Sequence, residues 1–277
     1  MHRMLEGKKI DALIETSKRA GNSIMDVYST DFDYEIKHDN SPLTIADKIS
    51  NEIICKDLRK ITPGIPILSE ENAHIPFIER SLWKTYWLVD PLDGTKEFIN
   101  RNGDFTVNIA LIEDNIARFG LIHAPNFNTT YWGLIGGKAY RQLNNHKPEI
   151  IKVSELGEKI RIVSSRSHPS DKTNMFIKKI SNHQIVKTGS SLKFCLIASG
   201  EADLYPRFGP TCEWDIAAGH AILESAGGKL LNKDRSIKRY NLSDSLINDD
   251  FIAFGDAKIG SFINPIIEKD NRELNFS

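Results

Sequence analysis

The segment Trp87-Leu88-Val89-Asp90-Pro91-Leu92-Asp93-Gly94-Thr95-Lys96-Glu97-Phe98 joins an apolar strand to the start of a short helix through two carboxylates. The run from Tyr86 to Val89 reads as a strand that delivers Asp90 at its end. Pro91 predicts a turn, because it cannot donate to a strand ladder. Asp93 follows Asp90 by three residues, so both carboxylates can point into one small space. A hard cation such as Mg2+ takes oxygen ligands, and two carboxylates in one turn suit it. The backbone carbonyl of Leu92 can add a further oxygen. Gly94 permits close backbone approach. Thr95 stands where a helix begins, and the free N–H groups of such a turn can hold a phosphate. Taken in isolation, Asp-Pro-x-Asp-Gly equally fits an Asx-rich surface turn.

Three other acidic segments raise the same question. Leu68-Ser69-Glu70-Glu71 ends a short apolar run. Thr44-Ile45-Ala46-Asp47 stands at a helix start, and Asp215 falls in the first turn of Cys212-Glu213-Trp214-Asp215-Ile216-Ala217-Ala218-Gly219. Each has an ordinary reading by itself: a solvated loop for Glu70, and charges complementing a helix dipole for Asp47 and Asp215. Composition and spacing do not bring the four segments together.

Outward from the metal-type segment, the pattern divides the chain. Leu5, Ile10, Leu13, Ile14, Ile24 and Val27 fall near helical spacing over residues 5–27. A second helix is predicted from about Ala46, ended by Pro63 and Pro66. Ile65–Ser69 reads as a strand. Thr106–Glu113 and Arg118–His123 flank Asp114-Asn115, a hairpin signal, and Tyr131–Leu134 and Lys138–Leu143 flank Gly136-Gly137. From Ile160 strand and helix alternate: strands at 160–163 and 185–188, helices at 171–180, 191–199 and 214–226. That alternation predicts a more parallel second sheet. The expected division is an N-terminal α+β domain, 1–155, with an antiparallel sheet and most metal ligands. A C-terminal α/β domain, 156–277, carries Asp215. The polar run Asn144–Pro148 marks the boundary region, and the tail after Asp256 reads as a surface appendage.

Composition is that of a soluble globular chain, with 40% hydrophobic and 26% charged residues. A formal net charge of −1 provides no basic field for a nucleic-acid polymer, so any phosphate recognition must be local. Cys55, Cys195 and Cys212 have no metal-type spacing, and an odd, low count speaks against a disulfide framework. Each reads as a small buried apolar side chain. No apolar run is long enough to span a bilayer. The expectation is a cytoplasmic protein, with room for peripheral attachment at the inner face of the cell membrane.

The ordered set Ser41–Asp47, Ser69-Glu70-Glu71, Asp90–Thr95 and Trp214–Gly219 resembles the inositol monophosphatase superfamily of lithium-sensitive, magnesium-dependent phosphatases, over roughly residues 5 to 255. Within it the similarity is to the bacterial 3'(2'),5'-bisphosphate nucleotidases of the CysQ type. The segments Asp93–Ile99, Gly103–Ala110, Ser164–His168, Gly189–Cys195 and Tyr205–Pro210 carry that distinction. The resemblance implies a layered αβαβα sandwich, α+β and α/β in class.

It also implies roles. Glu70, Asp90, the Leu92 carbonyl, Asp93 and Asp215 would bind two or three Mg2+. Thr95 and Asp47 would take a proton from the attacking water, with no covalent enzyme intermediate. Gly94 and Thr95 N–H groups would hold the phosphate. Glu70, Leu92, Asp93, Gly94, Thr95, Ser165, His168, Gly189, Lys193 and Asp215 would face the substrate, with Lys193 and Arg166 on the phosphate that is not cleaved. The implied reaction takes adenosine 3',5'-bisphosphate to AMP and phosphate, in sulfur and nucleotide metabolism, with 3'-phosphoadenylyl sulfate as a second substrate. The partner is a small nucleotide and the protein a monomer or weak homodimer. Lys193 and His168 also read as a solvated helix charge and a loop residue. Two rival readings stand: an inositol monophosphatase, and a non-catalytic binder of a phosphorylated metabolite.

Overall fold

The computed structural model describes residues 5, 7–36, 42–166 and 170–263 of the chain. Helix α1 (Lys8–Tyr28) forms where the apolar spacing places it and buries Leu13, Ile14, Ala20 and Ile24. Strands β1 (Tyr34–Ile36) and β2 (Pro42–Thr44) pair antiparallel ahead of α2 (Ile45–Ile61). Thr44 and Asp47 form a capping box at the start of α2.

A seven-stranded sheet follows, in chain order: β3 (Ile67–Ser69), β4 (Thr85–Asp93), β5 (Thr106–Glu113), β6 (Ile116–Ala124), β7 (Thr129–Leu134), β8 (Ala139–Leu143) and β9 (Glu149–Ile151). Only β3 and β4 pair parallel; every other neighbouring pair is antiparallel. Short helices α3 (Phe77–Arg80) and α4 (Thr95–Ile99) flank β4. Both predicted hairpins are present. Asp114 and Asn115 take φ of 49° and 64°, the left-handed pair that a two-residue turn demands.

Pro91 does not end its strand. β4 runs through it to Asp93, and the register with β5 shifts between Asp90 and Asp93. A proline fits inside a strand at such a bulge, where its missing N–H leaves no gap in the ladder.

A second sheet is built from β10 (Ile160–Ser165), β11 (His183–Thr188), β12 (Leu204–Arg207), β13 (Lys229–Asn232) and β14 (Phe251–Phe254), in the order β11-β10-β12-β14-β13. The expected parallel character holds for β11, β10 and β12 only; β14 runs antiparallel to both β12 and β13. Helices α5 (Asp171–Lys178), α6 (Leu192–Ala198) and α7 (Glu213–Ser225) accompany this half. After α7 no helix of the described residues connects β13 to β14, so the parallel crossover stops there.

Three apolar clusters define five layers. α1 and α2 cover one face of the seven-stranded sheet. α6 and α7 lie between the two sheets. α5 and the helical residues 257–263 cover the outer face of the five-stranded sheet. The chain beyond Asp256 is therefore no surface appendage as far as residue 263: Ile259 and Ile263 are buried in that third core. Cys55 and Cys195 are buried and Cys212 is half-buried, and none of the three is in a disulfide among the described residues.

Candidate active site

The β4 bulge and the first turn of α7 meet, and they bring three carboxylates together. Oxygens of Asp90, Asp93 and Asp215 all lie within 4.8 Å of one another. Each residue spends one oxygen on the protein. Asp90 Oδ1 accepts from Leu92 N at 3.0 Å and Asp215 Oδ2 from Cys212 N at 2.8 Å. Asp93 Oδ2 accepts from Ser190 Oγ, Ser191 N and Ser191 Oγ at 2.7–2.8 Å. Among the described residues no donor reaches the other oxygen of any of the three.

Burial first, and then the neighbouring Glu70, Asp93 and Asp215 charges, push Asp90 well above the usual carboxylate range. Burial and Asp93 do the same to Asp215. Glu70, in a single 3-10 turn after β3, adds its charge without joining the close triad. Oxygen-only donors crowded at this cost fit hard divalent cations, which would turn mutual repulsion into shared attraction.

Beside the triad, Thr95 Oγ1 lies 3.2 Å from Asp47 Oδ1 and 3.1 Å from the Leu92 carbonyl. Asp47 Oδ2 meanwhile accepts from Thr44 N and Thr44 Oγ1, both at 2.7 Å. Asp47 thus caps α2 with one oxygen and reaches the site with the other. Gly94 takes φ 88°, and a Cβ there would meet the Asp104 carbonyl at 2.9 Å.

A cavity of about 680 Å³ opens beside Asp93 and Asp215. Asp93, Ser165, Lys193 and Asp215 line it, together with Lys96, Tyr205, Arg207 and Thr211. Lys193 is buried, its Nζ 5.6 Å from the Tyr205 ring. Burial pulls its ammonium down to about 8, with Arg207 acting in the same sense and Asp93 opposing. Arg207 donates from Nη2 to the Pro210 carbonyl at 2.9 Å, while its buried Nε has no partner among the described residues. Arg207 and Lys96 lie in the segments Tyr205–Pro210 and Asp93–Ile99 that carry the family resemblance, but the sequence assigns neither a role. The signal for Arg207 is a charged residue at the end of a short strand, β12.

Other predicted contacts fall elsewhere. Arg166 does not line this cavity: its Nε donates to Asp104 Oδ2 at 2.7 Å. Competition from a nearby buried carboxylate takes the guanidinium that the sequence reading gave to substrate. Gly189 is a joint rather than a lining residue. Its N–H donates to the same Asp104 oxygen at 2.8 Å, and a Cβ would meet Asp104 and Glu97 atoms within 3 Å. His168 lies outside the described residues.

The family model described as the inositol monophosphatase family matches residues 8–258. The chain belongs to the inositol monophosphatase family. Among relatives in that family, the 3'(2'),5'-bisphosphate nucleotidase CysQ of Salmonella typhimurium is 43% identical over 245 residues, 87% of this chain and 98% of the relative. The protein of the same name from Buchnera aphidicola is 44% identical over 250 residues, 89% of this chain and 93% of its own. The solved CysQ of Bacteroides thetaiotaomicron, a bacterial member of the inositol monophosphatase family, has a TM-score of 0.77 at 39% identity, covering 88% of this chain and 96% of that one. The IMPase of Thermotoga maritima reaches a TM-score of 0.79 over 96% and 99% of the two chains, at 23% identity, and speaks for the fold alone. The layered architecture is that of the inositol monophosphatase family, and within it the similarity to CysQ nucleotidases stands. Among the described residues no helix is long and apolar enough to cross a membrane.

Proposed function

We propose that this chain is a 3'(2'),5'-bisphosphate nucleotidase that hydrolyses the 3'-phosphate of adenosine 3',5'-bisphosphate to AMP and phosphate. 3'-Phosphoadenylyl sulfate is a second substrate, and sulfur and nucleotide metabolism the setting. One observation carries the reading: a single cavity is lined by two carboxylates of the triad, Asp93 and Asp215, and by the cations Lys193, Arg207 and Lys96. A substrate with two phosphates uses both features. An inositol monophosphate, once its phosphate sits at the triad, has no second anion for the cations. The names of the CysQ relatives support the same reading.

Glu70, Asp90, the Leu92 carbonyl, Asp93 and Asp215 would hold two or three Mg2+, which would neutralise the phosphate oxygens and make a bound water more acidic. Thr95 donates its hydroxyl hydrogen toward Asp47, which leaves the hydroxyl lone pairs to accept from the attacking water. Asp47 is held for this by Thr44, which fixes the oxygen that faces Thr95. Gly94 and Thr95 present backbone N–H groups to the phosphate. By the same resemblance, Ser165 and His168 would hold the adenosine phosphate. Lys193, desolvated and backed by Tyr205, meets the phosphate that stays, which restores the charge that burial weakens.

The division at 155/156 belongs to the same proposal: the first half carries most metal ligands, and the second reads the nucleotide and contributes Asp215. So do a cytoplasmic setting with peripheral attachment, a monomer or weak homodimer, and inhibition by lithium.

The test is phosphate release from adenosine 3',5'-bisphosphate and from inositol 1-phosphate, with and without Mg2+, for the native chain and Lys193→Ala. The native chain should prefer the nucleotide and require the cation. Lys193→Ala should lower kcat/KM for the nucleotide about 100-fold and for inositol phosphate by no more than about 3-fold, because only the first loses a buried charge pair. Equal losses would overturn the substrate assignment. Tight nucleotide binding without phosphate release in Mg2+ would replace the enzyme with a metabolite-binding protein.

A further inference from the structure

Residues 240–248 run as a strap that hydrogen-bonds to Arg80 and Asn115 on one side and to Cys212 and Glu213 on the other. Asn241 sits near its start with φ 55°, a conformation that asparagine tolerates better than other side chains. Its backbone N–H donates to both carboxylate oxygens of Glu213, at 2.9 Å each. Its side chain exchanges two hydrogen bonds with Arg80. Arg80 Nη1 donates to Asn241 Oδ1, and Asn241 Nδ2 donates to the Arg80 carbonyl at 2.6 Å. Arg80 Nη2 donates further along the strap, to the Asp244 carbonyl at 2.5 Å.

Arg80 is 1% exposed and Glu213 is 5% exposed. Burying a guanidinium and a carboxylate is costly, and apolar side chains of the same volume would serve generic packing better. The expense points to a positional task.

What the three residues join identifies that task. Arg80 closes α3, on the segment that leads away from Glu70. Glu213 opens α7, in the turn that carries Asp215. The first turn of a helix has N–H groups without intrahelical acceptors, and it opens before the helix body does. The strap closes this one: Glu213 N donates to the Leu246 carbonyl at 2.8 Å, and Asn248 Nδ2 donates to the Cys212 carbonyl at 2.7 Å.

We propose that Arg80, Asn241 and Glu213 form a positioning relay that fixes the Asp215 turn of α7 relative to the Glu70 segment, and so sets the affinity for divalent cations held from both sides. None of the three touches substrate. The inference rests on the metal-dependent reading above and adds to it the device that spaces the two sides of the site.

Asn241→Gly is the informative variant. Glycine accepts φ 55° and keeps the backbone N–H to Glu213, while the exchange with Arg80 is lost. Ile24→Val, in the core beneath α1, serves as a control for stability alone. For each protein the melting temperature and phosphate release are measured across a Mg2+ titration. Mg2+ should raise the melting temperature of the native chain, as a ligand of the folded state must. In Asn241→Gly the Mg2+ concentration at which that rise sets in, and that for half-maximal release, should both increase about 10-fold or more. Turnover at saturating Mg2+ should stay within about 3-fold of native. The Ile24→Val protein should melt lower and keep the native Mg2+ dependence. An Asn241→Gly protein that melts lower with unchanged Mg2+ dependence would overturn the relay and leave a structural tie. A native chain whose melting ignores Mg2+ would overturn the metal reading itself, and the relay with it.

Discussion

Single charges in this protein are placed against their own preference for water. Asp90 is 1% exposed, and Glu70, Asp93 and Asp215 surround it with charge of its own sign. Such a group lowers stability whenever it is ionised without a counter-charge. In Asp90→Asn the amide oxygen can still accept from Leu92 N, while the repelled charge is gone. That variant should melt a few degrees higher than the native chain in chelator, at about 2–4 °C per kcal/mol for a chain of this size. Its Mg2+-dependent phosphate release should fall about 1,000-fold or more. A lower melting temperature, or retained turnover, would contradict the account of the triad. Asp47 shows why single residues were only half legible. As a helix-capping charge and as a partner of Thr95 it was read as two alternatives, and its two oxygens do both.

Elements carry a pH dependence that no single motif announces. α1 packs on the seven-stranded sheet through Gly21, where a Cβ would stand 2.5 Å from the ring of His123 on β6. The ring is buried, and Nδ1 lies 2.9 Å from Thr130 Oγ1. Burial and then Lys18 push His123 down to about 4. The unfolded chain takes that proton near an ordinary histidine value of about 6.5, so it binds more protons than the folded chain between there and about 4. Stability is therefore full above this window and is lost as pH falls through it. Urea unfolding at pH 7 and pH 5 should differ by about 2 kcal/mol more in the native chain than in His123→Gln. An identical difference in the two proteins would assign the pH dependence to other groups. The long elements were readable because their periods repeat: α1, α2, α7 and both hairpins lie where the spacing put them. Short strands such as β1, β9, β13 and β14 offer too few residues for a period to show, and only their partners define them.

The whole molecule depends on α7 filling the space between two sheets. Gly120 on β6 lets it approach: a Cβ there would come within 2.0 Å of the Ala218 carbonyl. Backbone cannot yield as a flexible side chain can, so Gly120→Ala should cost about 3 kcal/mol or more and move the Asp215 turn away from β4. Calorimetry of the purified variant checks this, and a native melting temperature would refute the close packing. From sequence alone came the acidic residues, the elements that carry most of them, and the family to which their order belongs. Those features are local: a strand end, a helix start, a bend at glycine, each decided within a few residues. The tertiary structure decided the rest. It carried β4 past Pro91 into a bulge, and it closed the second sheet with antiparallel strands. It gave Arg166 to Asp104, and it put Lys193, Arg207 and Lys96 around one cavity. A charge takes whichever opposite charge lies within a few ångströms and out of water, and that distance exists only once segments far apart in the chain have packed together.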